Sequence, residues 1–174
     1  MRDNMQLQSH KSLGFTLIEL LVGLTIISLL FGFGFVSFRE FSRRQALYKV
    51  ARDIMQDLRL AQQLALSGEK PPYSPCAPPK SLNGYRFAVV NSQQYAIRAY
   101  CSIGGGDVEV EVKTVNLVSS GVSISTPFPD PNPILFKVLG QGTNIPGQTA
   151  IITLAQSVTG NTATITITQG GVVK

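Results

Sequence analysis

Few residues in this chain are equipped for chemistry, and their positions narrow what that chemistry is. The single histidine, His10, lies close to the start of the chain, so no histidine base follows it. Asp107, Glu109 and Glu111 alternate along a strand-like run, which places three carboxylates on one face at the two-residue period of a strand, with Lys113 continuing that face. Such a face could take Ca²⁺, yet no ligand-rich loop of the D-x-[DN]-x-[DN]-G kind accompanies it, and a solvated strand face is the better reading. Gly104-Gly105-Gly106 lacks the spacing and the Lys-Ser/Thr of a phosphate loop and reads as a turn. With 2 Cys and 1 His, soft ligands are too few for a structural zinc or haem site. The expectation is therefore no catalytic residue, no metal and no cofactor.

Glu19 is the acid that calls for an explanation. It is the only charge in the apolar run from Phe15 to Phe38, FTLIELLVGLTIISLLFGFGFVSF, whose ~24 residues meet the ~20 a helix needs to cross a bilayer. A secretory signal peptide has a shorter apolar region, about 7–15 residues, and an A-x-A-like end, whereas Arg39-Glu40-Phe41 follows here. A plain membrane anchor accounts for the length and leaves the acid unexplained. A charge inside such a helix costs on the order of 2.5–3.5 kcal/mol, so it has a partner or lies near the headgroups. Gly14 stands directly before the run. A cut between Gly14 and Phe15 would create an α-amine one helical turn from Glu19, available to the Glu19 of a neighbouring subunit within an apolar core. Removing either partner would leave a buried charge unpaired.

The stretch Lys11-Ser12-Leu13-Gly14-Phe15-Thr16-Leu17-Ile18-Glu19-Leu20 resembles the processing site of the type IV pilin-like superfamily, which includes pilins and the pseudopilins of type II secretion. The resemblance implies a prepilin peptidase/methyltransferase that cuts after Gly14 and N-methylates Phe15. It makes Glu19 the assembly residue, and the partners other pilin or pseudopilin subunits, an inner-membrane assembly platform and membrane lipid. It also implies a cytoplasmic leader and an exported C-terminal domain, first held by a single pass in the inner membrane and then in a periplasmic pseudopilus or surface filament. Arg39, Arg43 and Arg44 outnumber Arg2 and Lys11, so charge counting alone gives the opposite orientation; long domains, however, translocate largely regardless of charge. Many relatives carry a proline about 22 residues into the mature helix, where this chain has Val36. Gly32 and Gly34 lie nearby and form a candidate soft point, with helix-packing glycines as the alternative.

The elements behind this segment read as α+β. Leu47, Ala51, Ile54, Leu58, Ala61 and Ala65 recur at spacings of three and four, while Arg52, Gln56, Arg59 and Gln63 fill another face. With Ser67-Gly68 and Pro71-Pro72 as stops, the spacing predicts a helix from Phe15 to Ser67, about 80 Å long. Two helices hinged near Arg39 are the alternative. Lys49 and Asp53 are spaced for an i,i+4 ion pair. The division expected is a cleaved leader 1–14, an apolar helix 15–38, an amphipathic extension 39–67 and an exported β-rich domain 68–174.

In that domain Pro71–Pro79 is too rich in proline for helix or central strand. Strands are expected over Tyr85–Val90, Gln94–Cys101, Val108–Val115, Gly121–Ser125, Ile134–Leu139, Thr149–Ala155 and Ala163–Thr168, with a hairpin at Asn91-Ser92-Gln93. The pattern predicts the amphipathic helix packed on an antiparallel sheet. A Cys76–Cys101 bridge would close a loop of about 25 residues and contribute roughly 3.5 kcal/mol, with two free thiols as the alternative. Residues 126–174 hold three charges, Asp130, Lys137 and Lys174, which suits strands paired within the domain or facing neighbours. Arg52–Ser67 is similar to the helix of H-type minor pseudopilins and FimT-like minor pilins, and Ile167–Gly171 resembles their C-termini. The net charge of +5 is spread thinly, so nucleic acid, as for a DNA-uptake minor pilin, ranks behind a structural subunit.

Overall fold

The computed structural model describes residues 14–71, 74–103 and 106–174, with the side chains of 33–37, 74 and 103 outside that description. The expected leader up to Leu13, the Pro72 stop and the Gly104-Gly105 part of the glycine turn thus lie outside the described residues. Helical backbone, α1, covers Leu17–Ser67. Thr16 caps its start: the Thr16 hydroxyl accepts from the Glu19 N–H at 3.3 Å and its carbonyl from the Leu20 N–H at 3.1 Å. Gly68 ends it at φ 65°, donating its N–H to the Ala65 carbonyl, since a left-handed residue there is cheapest as glycine.

The chain forms two compact units, one ending at Arg39 and the other Glu40–Lys174. In the first, every large apolar side chain from Phe15 to Phe31 is at least half exposed. Among the described residues no helix is long and apolar enough to cross a membrane; α1 continues through 33–37, whose side chains are not described.

The second unit packs the rest of α1 against two antiparallel sheets. Leu47, Ala51, Ile54, Leu58, Ala61 and Ala65 are all buried, and Val50 joins them, whereas Arg52, Gln56, Arg59 and Gln63 lie toward solvent, as the periodicity requires. The larger sheet has the order β3-β2-β1-β5, built from β1 Ser81–Asn91, β2 Gln94–Ile103, β3 Gly106–Asn116 and β5 Ile134–Lys137. The smaller has the order β4-β6-β7, from β4 Val122–Ile124, β6 Thr149–Gln156 and β7 Thr162–Thr168. Side chains from the helix and from both sheets share one core that includes Phe87, Ile97, Ile134, Ile152 and Ile165.

The β1–β2 hairpin turns over Ser92-Gln93, because the Asn91 side chain accepts from the Gln93 N–H at 2.8 Å and closes the turn one residue later than the three-residue loop expected. β5 stops at Lys137, earlier than the run to Leu139, because the chain bends into a 3-10 turn Val138–Gly140 with Leu139 at φ 55°. Glu40 and Arg44 form an i,i+4 ion pair on α1 at 2.7 Å, and among the described residues none joins Lys49 to Asp53. The outer edge of β7 is covered by the chain's own end: Thr166 and Lys174 exchange N–H···O bonds of 2.9 Å, and the Thr168 N–H donates to the Val172 carbonyl. Part of this low-charge edge is therefore paired within the domain.

Candidate functional site

The residues expected to carry function sit at the start of α1. Gly14 and Phe15 precede the helix, and both are exposed. Thr16 at the cap places Glu19 in the first turn, where the partial positive charge of the helix end favours a carboxylate. Among the described residues the Glu19 carboxylate has no hydrogen-bond or ion-pair partner. An unpartnered acid thus stands within an apolar surface formed by Leu17, Ile18, Leu20, Leu21 and Val22. A surface of that size is not stable in water alone, and it marks a membrane or protein contact. Gly32 lies further along the same helix, with nothing within 4 Å of where a Cβ would sit, and α1 runs on through Gly34.

On the acidic strand face Glu109 and Asp107 are held by neighbouring side chains. On the face of the larger sheet turned away from α1, Arg86 and Arg98 both donate to Glu109, Arg98 at 3.2 Å. The Tyr100 hydroxyl donates to Asp107, and the Arg86 guanidinium lies 3.5 Å from the centre of the Tyr100 ring. Burial raises the Glu109 pKa, but the two arginines outweigh it and hold the carboxyl below its ordinary range. No cluster of three metal-ligating side chains occurs among the described residues.

Lys113 does not continue that face. The register pairs Arg98 with Glu111 but Ile97 with Lys113, leaving Val112 as the extra residue of a β-bulge. The slip turns Lys113 toward α1, where its Nζ donates to Asp57 at 2.6 Å. Asp57 is 5% exposed on the buried side of the helix and also accepts from the Tyr95 hydroxyl at 2.8 Å. Burial, then the hydrogen bond to Asp57, drives the Tyr95 pKa far above its ordinary range. The sequence reading missed this triad. Its signal was an acid spaced three from Ile54 and four from Ala61, inside the apolar stripe.

The two cysteines meet. Cys76 and Cys101 form a disulfide with a Cα–Cα distance of 5.7 Å, both fully buried, which ties the proline-rich loop to β2.

A helix with a capped, acid-bearing apolar start thus precedes a disulfide-bonded antiparallel sheet domain. Residues 9–35 match the prokaryotic N-terminal methylation motif. That match supports a type IV pilin-like precursor of the kind that prepilin peptidase processes. No curated protein and no solved structure matches it.

Proposed function

We propose that this protein is a structural subunit, a minor pilin or pseudopilin, rather than an enzyme. Before assembly the Phe15–Phe38 helix spans the inner membrane once, with the domain exported. After cleavage between Gly14 and Phe15 and methylation of Phe15, it enters a type IV pilus or a secretion pseudopilus. The observation that carries this reading is the unpartnered Glu19 carboxylate within an exposed apolar helix, directly after the processing motif. In a filament the helices cover one another, and Glu19 pairs with the Phe15 amine of a neighbouring subunit, offsetting the cost of burying both charges. The H-type or FimT-like subgroup is the assignment the Arg52–Ser67 helix favours. Gly32 and Gly34 supply a point at which the helix extends as subunits pack.

Two measurements test the reading. Peptide mapping of the assembled protein should begin at N-methylated Phe15, and an intact Met1–Gly14 segment would refute it. Glu19→Ala should lower incorporation into filaments at least tenfold while the Cys76–Cys101 domain stays folded; equal recruitment of variant and parent would refute the role of Glu19. The DNA-uptake reading gains little from the sheet, since Arg86 and Arg98 are both engaged by Glu109 rather than clustered as an open basic patch.

A further inference from the structure

Within the second unit, α1 carries a second stripe that the fold leaves uncovered. Tyr48, Arg52, Met55, Arg59, Gln62 and Leu66 follow one another at spacings of four and three, the seam pattern by which a helix offers one face to another element. Tyr48 is 55% and Leu66 49% exposed, Arg52 and Arg59 are exposed, and Met55 and Gln62 are half-buried. Tyr, Met and Arg are types enriched where proteins meet. Arg52 reaches only the Tyr48 carbonyl, at 3.3 Å, and Arg59 has no hydrogen bond or ion pair among the described residues. Two cations without an acid thus stand two turns apart on one ridge, about 10.5 Å at 1.5 Å per residue.

The opposite flank holds the matching charges. Asp57 lies two residues from both Met55 and Arg59, so it projects from the other side of the helix, and there Lys113 joins it to β3. The seam instead borders the smaller sheet, with Gln62 beside Gly171. Seam and β3 therefore do not meet within one copy. On the outward face of β3, Glu111 stands opposite Arg98, yet Arg98 donates to Glu109 and no ion pair among the described residues reaches Glu111. Asp107, four residues back and roughly 13 Å away at ~3.4 Å per residue, accepts only from an uncharged donor, the Tyr100 hydroxyl. The bulge leaves Val112, 41% exposed, beside Glu111. Two carboxylates and a valine on one flank thus answer two arginines, a tyrosine and a leucine on the other, and the long arginine side chains span the difference in spacing.

We infer that the α1 seam is covered by a second copy of this chain, which brings the outward face of its β3. Charge complementarity selects that occupant: the seam is basic, and β3 presents carboxylates that no cation of their own copy pairs. The two surfaces differ, so the contact is heterologous, and repeated from copy to copy it builds a ring or a helical filament rather than a twofold dimer. Pairing β3 with β3 is disfavoured, because Asp107 and Glu111 would then meet like charges. The inference deepens the subunit reading above and rests on it for its purpose, since it names the domain contact that accompanies burial of the N-terminal helix.

Sedimentation equilibrium of the full chain in density-matched non-ionic detergent tests the contact with two charge-reversed variants. One carries Arg52→Glu together with Arg59→Glu, the other Glu111→Lys, and near-ultraviolet circular dichroism checks that each stays folded. The parent should associate as its concentration rises, and raised salt should weaken that association. Each variant alone should associate at least tenfold more weakly, because like charges then meet. An equal mixture of the two should regain the parent's association, since each seam again finds opposite charge on the other variant. A parent that stays monomeric, variants that associate like the parent through the apolar helix, or a mixture that regains nothing overturns the inference. The subunit reading fails separately, by peptide mapping: an intact Met1–Gly14 segment would remove the filament and leave the measured contact standing.

Discussion

Replacing Lys113 by methionine tests whether the bulge at Val112 exists to serve Asp57. The Asp57 carboxylate is 5% exposed and has two partners, Lys113 at 2.6 Å and Tyr95 at 2.8 Å. Breaking a fully buried ion pair costs about 3–5 kcal/mol. The Lys113 side chain is 45% exposed, so water screens part of the attraction and the expected loss falls to ~1–2 kcal/mol. Asp57→Ala should cost more, about 2–4 kcal/mol, because it also leaves the Tyr95 hydroxyl buried without an acceptor. The double variant should then be milder than the sum of the singles by ~1 kcal/mol or more, since removing the lysine no longer strands a carboxylate. Urea unfolding of the full chain in non-ionic detergent, followed by near-ultraviolet circular dichroism of the tyrosines, measures all four corners of the cycle. Additive losses would mean that the two charges ignore each other, and the bulge would then have no electrostatic purpose.

Other outcomes follow from the same packing. Because the native Tyr95 hydroxyl holds its proton to higher pH than the unfolded one, stability should be intact below about pH 10 and fall above it by up to ~1.4 kcal/mol per pH unit, a slope that Tyr95→Phe reduces. The direction is fixed by proton counting, since above that pH the unfolded state binds fewer protons. Replacing both Cys76 and Cys101 by Ser opens a loop with a sequence separation of 25 and should remove roughly 3.5 kcal/mol, read as a lower urea midpoint. Gly84→Ala would place a Cβ 2.1 Å from the Phe136 carbonyl oxygen, so β1 and β5 must part; a loss of about 1–3 kcal/mol and faster amide exchange at Phe136 are expected.

Much of this protein was legible along the chain because the signals are local. Residues 11–20 spell a processing site in consecutive positions, and the Leu47-to-Ala65 stripe obeys helical spacing whatever it packs against. All seven strands were expected, because Val, Ile and Thr between turn residues favour extended backbone over short windows, although β1 starts at Ser81 rather than Tyr85. Glu19 stood out for the opposite reason: an acid among apolar neighbours contradicts its surroundings, and that contradiction is visible without coordinates.

What tertiary structure decided concerns pairing across long separations. Strict alternation in Val108–Val115 predicts Lys113 beside Glu111, and only the register against β2 reveals the bulge that sends it 56 residues back to Asp57. The division of the strands into two sheets, and the return of Val172–Lys174 along β7, depend equally on which edge is open when the chain arrives. The Asn161 side-chain amide, buried without a hydrogen-bond partner among the described residues, belongs to the same class. Whether a buried donor finds an acceptor depends on every neighbour at once, whereas a helix stripe or a cleavage motif is written in the residues that form it.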